Sequence, residues 1–598
     1  MKQKERYEVD DKYKWDLTRI YKDNEEVEND IKSVKESAIE VSKYSNKLLE
    51  SADSLLNATI KYYETTRILD KLVVYSTMKY HEDMSISDNK VLCDRIGKLS
   101  DDVSYKTAFF VPELLKGDLN DVLEFEKKEE KLKKFHFTFE EIFREKEHAL
   151  SLKEEELLSQ MGEIFSSSSD TYDMLDDVDI KFKDIHDENG NLVLLSSSNY
   201  SKYLKNSNRE VRKEAFNNFY GAYNDLKHTF ASTLKGSVTG DNFISKIRKY
   251  DSSLQMSLFS DNIPTKLYDK LIEKVNSNLD IVYDYIKLRK DILNVDELHM
   301  YDIYVPLVPD TKKKYSYEEA VNLVLDALSP LGKTYINDLK NIIDSKCIDV
   351  FNNKNKRGGA YSWGSYDTLP YVLLNFENDF YSVSTLAHEL GHSMHSYYSH
   401  KNREYYDSSY TIFLAEIAST VNEILLNKYM YKNSKTKEEK LYYLNNLLED
   451  FRTTLIRQTM FAEFEKIIHE KEANGEILTE EVFSSIYLSL NKKYYGSDIV
   501  SDDLIKLEWA RISHFYNSFY VYKYSTGISI ACKIVSDILS NKDNALENYL
   551  EFLSSGGKTY SLDILKNVGI DIVNDDTIDK ALEMFRDTLE EFKKVYYE

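Results

Sequence analysis

Two histidines four residues apart, His388 and His392, with Glu389 directly after the first, are the residues of this chain best suited to do chemistry. On a helix, positions i and i+4 stand one above the other on the same face. Two imidazoles so placed can share one metal ion, and zinc is the usual occupant of such a pair. Glu389 sits where it can meet a metal-bound water and take its proton. A catalytic zinc needs three protein ligands and one open position, so a third donor must come from elsewhere. Residues 411–423 read as a second helix, in which Glu416 interrupts an apolar run. A carboxylate there needs a partner, and a metal ion would supply one. Glu423, seven residues on and on the same face, is the alternative ligand or the group that orients a histidine through its free ring nitrogen. His395 also shares the face of His388. An imidazole one turn beyond the pair would strain to reach their ion, so packing or an orienting role is expected of it. Residues 399–409 read as a polar loop, with His400 exposed and Glu404 and Asp407 solvated.

A second cluster lies downstream, where His514, Tyr516, Tyr520, Tyr522 and Tyr524 fall within eleven residues. Peptide hydrolysis develops negative charge on the carbonyl oxygen, and a phenol or an imidazole N–H beside it would stabilise that charge. The same segment also reads as an aromatic core helix, in a chain that holds 47 tyrosines.

The elements that must position these groups are mainly helical. Only 6 Pro and 18 Gly in 598 residues favour long helices over a turn-rich β fold. Helical periodicity recurs through 41–56, 60–80 and 92–115. Ser151 reads as the N-cap of a further helix. The small polar run 166–170 reads as a break, and 180–185 and 192–195 as a hairpin around Gly190. This places a domain boundary near 185, giving an N-terminal helical domain, 1–185, and a catalytic domain, 186–598. Pro264 is expected to open a helix. Pro306 and Pro309 make 301–310 an extended connector. Residues 371–376 are the clearest strand, just before the histidine pair, and are read as the strand that holds an extended substrate by backbone hydrogen bonds.

The net charge of −24 argues against nucleic acid as a partner. Three scattered cysteines give no disulfide framework. No signal peptide or membrane-length apolar run is evident, so the expected location is cytoplasmic, with no membrane association. No phosphate-cradling glycine motif is present.

Residues 385–395, together with 413–420, resemble the thimet-oligopeptidase-like zinc peptidases, and within them the oligoendopeptidase F branch. The similarity extends to Trp15, Asp16 and Leu17, to 148–151, 300–306, 356–376 and 511–527, and so covers nearly the whole chain. It implies a two-lobed helical fold of the zincin type with a small sheet near the active site and a deep central channel that admits short peptides. It implies one zinc per chain on His388, His392 and Glu416, with Glu389 as general base. His514 and the tyrosines at 516, 520 and 522 match positions that bind substrate and assist the oxyanion, with Tyr522 or Tyr520 preferred. Similar sequences tend to carry proline where this chain has Ser513 and Ser518. The expected function is zinc-dependent endopeptidase action on short oligopeptides. An exopeptidase releasing C-terminal dipeptides is the enzyme alternative, and a helical peptide-binding protein the non-enzyme one. Cleavage preference and oligomeric state are not legible.

Overall fold

The computed structural model describes residues 4–309 and 313–598. The chain is mainly helical, with short strands in three small sheets. It forms two compact units, each assembled from separated stretches. The first comprises Met1–Glu147, Lys312–Leu426 and Ile534–Gly569, and the second His148–Thr311, Asn427–Lys533 and Ile570–Glu598. The boundary expected near 185 falls inside the second unit.

In the first unit, helices Asn24–Ser42 and Ala52–Glu82 start where Asp23 and Ser51 accept backbone N–H groups of the first turn. Those donors have no partner within a helix, which is why short polar side chains mark its start. Leu55 of the second of these helices forms an apolar cluster with Leu48, Val122, Leu132 and Phe139. A three-stranded sheet lies in the same unit. Tyr371–Leu373 is its central strand, parallel to Ile348–Asp349 and antiparallel to Tyr361–Trp363. A buried ion cluster fixes the sheet: Asp349 receives Arg6 Nη2 at 2.6 Å and Lys356 Nζ at 2.6 Å. Lys356 also donates to the Phe351 and Leu374 carbonyls, at 2.8 and 2.6 Å. Burial would raise the Asp349 carboxyl, but Lys356 and Arg6 outweigh it and hold it low. A buried charge with these partners tolerates its surroundings only in this geometry.

The strand expected to hold substrate is therefore corrected. Tyr371–Leu373 is buried and hydrogen-bonded on both sides, so no ladder position is open on it. Tyr361–Trp363 is the edge strand of that sheet.

In the second unit, Ile185–His186 pairs with Leu192–Val193 around Gly190, as expected, though with fewer residues. The break expected at 166–170 is instead helical, within Gly162–Asp173. Ser167 and Ser169 return their hydroxyls to the Ile164 and Ser166 carbonyls, so their polarity is satisfied inside the helix. Ser168 sits against Gly236 of the long helix Arg209–Ile247, where larger side chains would collide. Ser151 caps its helix through a reciprocal bond with Glu154. Pro264 is the residue before the helix Thr265–Asn276 rather than its first. Residues 300–302 form a 3-10 turn inside the expected extended connector, and Asp310 lies outside the described residues.

Candidate metal centre

The histidine helix, Phe380–Asn402, begins where Asp379 accepts the Ser382 backbone N–H at 2.9 Å. It runs four residues past its expected end, so His400 is helical and half-buried rather than on an exposed loop. The carboxylate helix is Ile412–Asn433. The two helices meet at Gly391. A methyl on this glycine would lie 2.6 Å from Ser419 Cα and 2.7 Å from the Ala418 carbonyl oxygen. Only a residue without a side chain allows that approach.

The close approach brings three donors together. His388 Nε2 and His392 Nε2 are 3.2 Å apart. Glu416 Oε2 lies 3.5 Å from the first and 3.7 Å from the second. Metal–ligand bonds of about 2.0–2.1 Å at tetrahedral angles put donors roughly 3.4 Å apart. The triangle fits three corners of such a site, and the residues present suit a zinc-type ion.

Each donor is backed by a further contact. His388 Nδ1 is 3.2 Å from Glu423 Oε2. The His392 ring hydrogen-bonds the Ala415 carbonyl. Ser419 Oγ donates to Glu416 Oε2 at 3.2 Å. Such contacts fix ring tautomer and orientation. Asn422 ties the two helices by donating to the Ala387 carbonyl at 2.9 Å.

The electrostatics follow from crowding buried acids and imidazoles. Burial would lower the His388 imidazole, but Glu423, Glu389 and Glu416 outweigh it and hold it at about 9. Burial and the neighbouring His388 push His392 down to about 3. Glu389 is 7% exposed. Burial raises its carboxyl to about 7, with Glu416 and Glu423 adding to the rise, against His388 and the Ser362 backbone N–H. A carboxyl near neutrality can both accept and return a proton.

His395 takes no part in the cluster. It is buried and stacks on Tyr410 with ring centres 3.7 Å apart, a packing role. Beside the edge strand and the first turns of the histidine helix lies a cavity of about 260 Å³, walled by Ala360, Leu374, Phe376, Tyr381 and Thr385.

Within the second unit, His514 is exposed on a 3-10 turn, Ser513–Tyr516. Its Nε2 lies 3.4 Å from the Tyr524 hydroxyl, and the ring of Tyr520 is 6.1 Å away. The structure does not bring Tyr522 to this group. Tyr522 is 0% exposed and packs on Tyr268, with ring centres 5.2 Å apart. Tyr516 bonds the Thr233 hydroxyl at 2.7 Å and stacks on Tyr172. Tyr524, grouped with His514 in the sequence but not preferred there, is thus the tyrosine whose hydroxyl lies beside its imidazole.

Residues 202–584 match the model of peptidase family M3, and residues 113–182 that of oligopeptidase F. The chain belongs to peptidase family M3. It is 42% identical to the oligopeptidase PepF of Bacillus subtilis over 591 residues, covering 99% of this chain and 88% of that protein. A crystal structure from Chlamydophila abortus superposes with a TM-score of 0.93 at 37% identity, covering 99% of this chain and all of that one. The oligoendopeptidase F of Enterococcus faecium gives a TM-score of 0.75 at 34% identity, over 96% of this chain and 99% of that one. Family M3 enzymes are metallopeptidases, and the His388, His392 and Glu416 cluster offers the donors such an enzyme requires. No helix among the described residues is long and apolar enough to cross a membrane.

Proposed function

We propose that the chain is a zinc-dependent endopeptidase that hydrolyses internal bonds of short oligopeptides. The observation that carries this reading is the donor triangle of His388, His392 and Glu416 with the Glu389 carboxyl beside it. The names of its relatives, oligopeptidase and oligoendopeptidase F, support the substrate class. Bound there, zinc supplies a Lewis acid that polarises a carbonyl and acidifies water. Glu389 takes the proton of the attacking water and returns it to the leaving amine, from its buried position next to His388. Glu423 and the Ala415 carbonyl hold the two imidazoles in the tautomer that leaves Nε2 free for the ion. The Ser362 carbonyl on the outer side of the edge strand Tyr361–Trp363 accepts from an extended peptide, while its N–H is held by Glu389, and the adjoining cavity receives an apolar side chain. His514, with Tyr524 and Tyr520, donates to the developing oxyanion.

The test is a peptide pool read by mass spectrometry, with metal analysis of each variant. Glu389→Gln is expected to lower kcat by about 10²–10⁴ with zinc retained. Glu416→Ala is expected to lose the metal. Full turnover in the first variant, or full metal content in the second, removes that residue from its role.

A further inference from the structure

The second unit encloses a cavity of about 280 Å³ that the chemistry above does not use. Its wall includes Arg457, Arg511, Glu508, Tyr200, Tyr304 and Tyr495. Both guanidiniums converge on one carboxylate oxygen: Arg457 Nη2 donates to Glu508 Oε1 at 2.5 Å and Arg511 Nη2 to the same atom at 3.0 Å. The other oxygen of Glu508 is taken by the Tyr487 hydroxyl at 2.5 Å. Two guanidiniums thus share one oxygen of Glu508, and three bonds occupy most of that carboxylate's lone pairs. Arg511 Nε is bound to the Tyr220 hydroxyl at 3.1 Å, which leaves its Nη1 without a protein acceptor among the described residues. Nε and Nη1 of Arg457 are in the same position. The hydroxyls of Tyr200, Tyr304 and Tyr495 likewise make no hydrogen bond to a described residue.

The wall is thus rich in donors and short of acceptors. Asp176, the other acid on it, already accepts from Tyr223 at 2.6 Å. Burial pushes its carboxyl up, while Tyr223 and Arg511 pull it down. Buried guanidinium N–H groups left without acceptors are costly unless a ligand supplies them. Planar guanidiniums prefer planar, two-oxygen anions, which they bind through parallel N–H bonds. Phenol hydroxyls can complete the set by donating to the remaining lone pairs.

We infer that this cavity binds a carboxylate, held by Arg457 and Arg511 with the hydroxyls of Tyr304 and Tyr495 as further donors. Two sources present that group: the C-terminus of a peptide and a free small organic acid. The inference concerns binding alone and stands whether or not the metal chemistry is as proposed.

The experiment is saturation-transfer NMR titration of the full chain, with and without chelator, using N-acetylglycine, N-acetylglycinamide, acetate and sulfate. N-acetylglycine is expected to bind about tenfold or more tighter than the uncharged amide, with chelation making no difference. Tighter binding of N-acetylglycine than of acetate identifies a peptide terminus, and equal binding a free acid. Arg457→Gln is expected to weaken N-acetylglycine by about tenfold or more. If that variant fails to fold, the double variant Tyr304→Phe/Tyr495→Phe decides. It removes only hydroxyls that no described residue uses, and is expected to weaken binding about fivefold with an unchanged melting temperature. Equal affinity for acid and amide, loss of binding on chelation, or unchanged binding in the deciding variant overturns the assignment. Sulfate binding more tightly than N-acetylglycine overturns it in favour of an inorganic oxyanion.

Discussion

In the metal cluster, every donor has a second contact behind it. His388 is backed by Glu423, His392 by the Ala415 carbonyl and Glu416 by Ser419. The segment around His514 is built in the opposite way. His514 is exposed on a short turn, and its partner in that segment is the Tyr524 hydroxyl at 3.4 Å. The difference matches the two tasks proposed for them. A ligand set must hold its geometry before the ion arrives. Groups that greet a developing oxyanion can tighten when substrate is bound.

The largest effect that would sharpen this contrast comes from two neighbouring tyrosines. Tyr524→Phe is expected to lower kcat by up to about 10²–10³, the usual loss for one oxyanion donor, with an unchanged melting temperature. Tyr522→Phe, in the core beside Tyr268, is expected to leave kcat within about twofold of the parent. Steady-state kinetics of the pair breaks the comparison if the buried tyrosine proves the costlier one. Next in size, Glu423→Gln is expected to weaken metal affinity about 10–100-fold while keeping three ligands. Competition with a chromogenic chelator reads this, and unchanged affinity would mean His388 needs no support.

A change in stability, rather than in rate or metal affinity, is seen in acid. Burial would raise the Glu508 carboxyl, but Arg457 and Arg511 outweigh it and bring it from 4.5 to about 2. Because the folded value lies below the ordinary one, its contribution to stability is complete above about 4.5. It is lost as pH falls toward about 2, at roughly tenfold in the folding equilibrium per pH unit. Urea unfolding followed by tryptophan fluorescence, to which the buried Trp509 of the same unit contributes, measures the slope. A flat profile across that window would show that the guanidiniums do not hold Glu508.

How much of this was legible depended on distance along the chain. The histidine pair and Glu389 were readable because helical spacing alone sets their face. Glu416 was readable as a lone acid in an apolar run. The edge strand was not. Whether 361–363 or 371–373 lies outermost is decided by pairing with Ile348–Asp349, a partner that neither stretch encodes. Tyr524 was hidden by a local reversal: Phe519 adopts φ 58, and the helix begins only at Tyr522, so the faces before and after cannot be projected from one another. Ser518, where similar sequences tend to carry proline, donates to Asp241, a contact across 277 positions. The compact units were equally hidden, since each is gathered from three stretches.

Gly391 gives the metal cluster a property that no ligand supplies. Two main chains touch there with no side chain between them, so backbone contact sets the gap from the histidine pair to Glu416. Rotamers can adjust a donor, but they cannot widen that gap. The glycine works as a spacer: it keeps the Glu416 carboxylate within reach of the imidazole pair, and a side chain there would part the donors before any ion could bridge them.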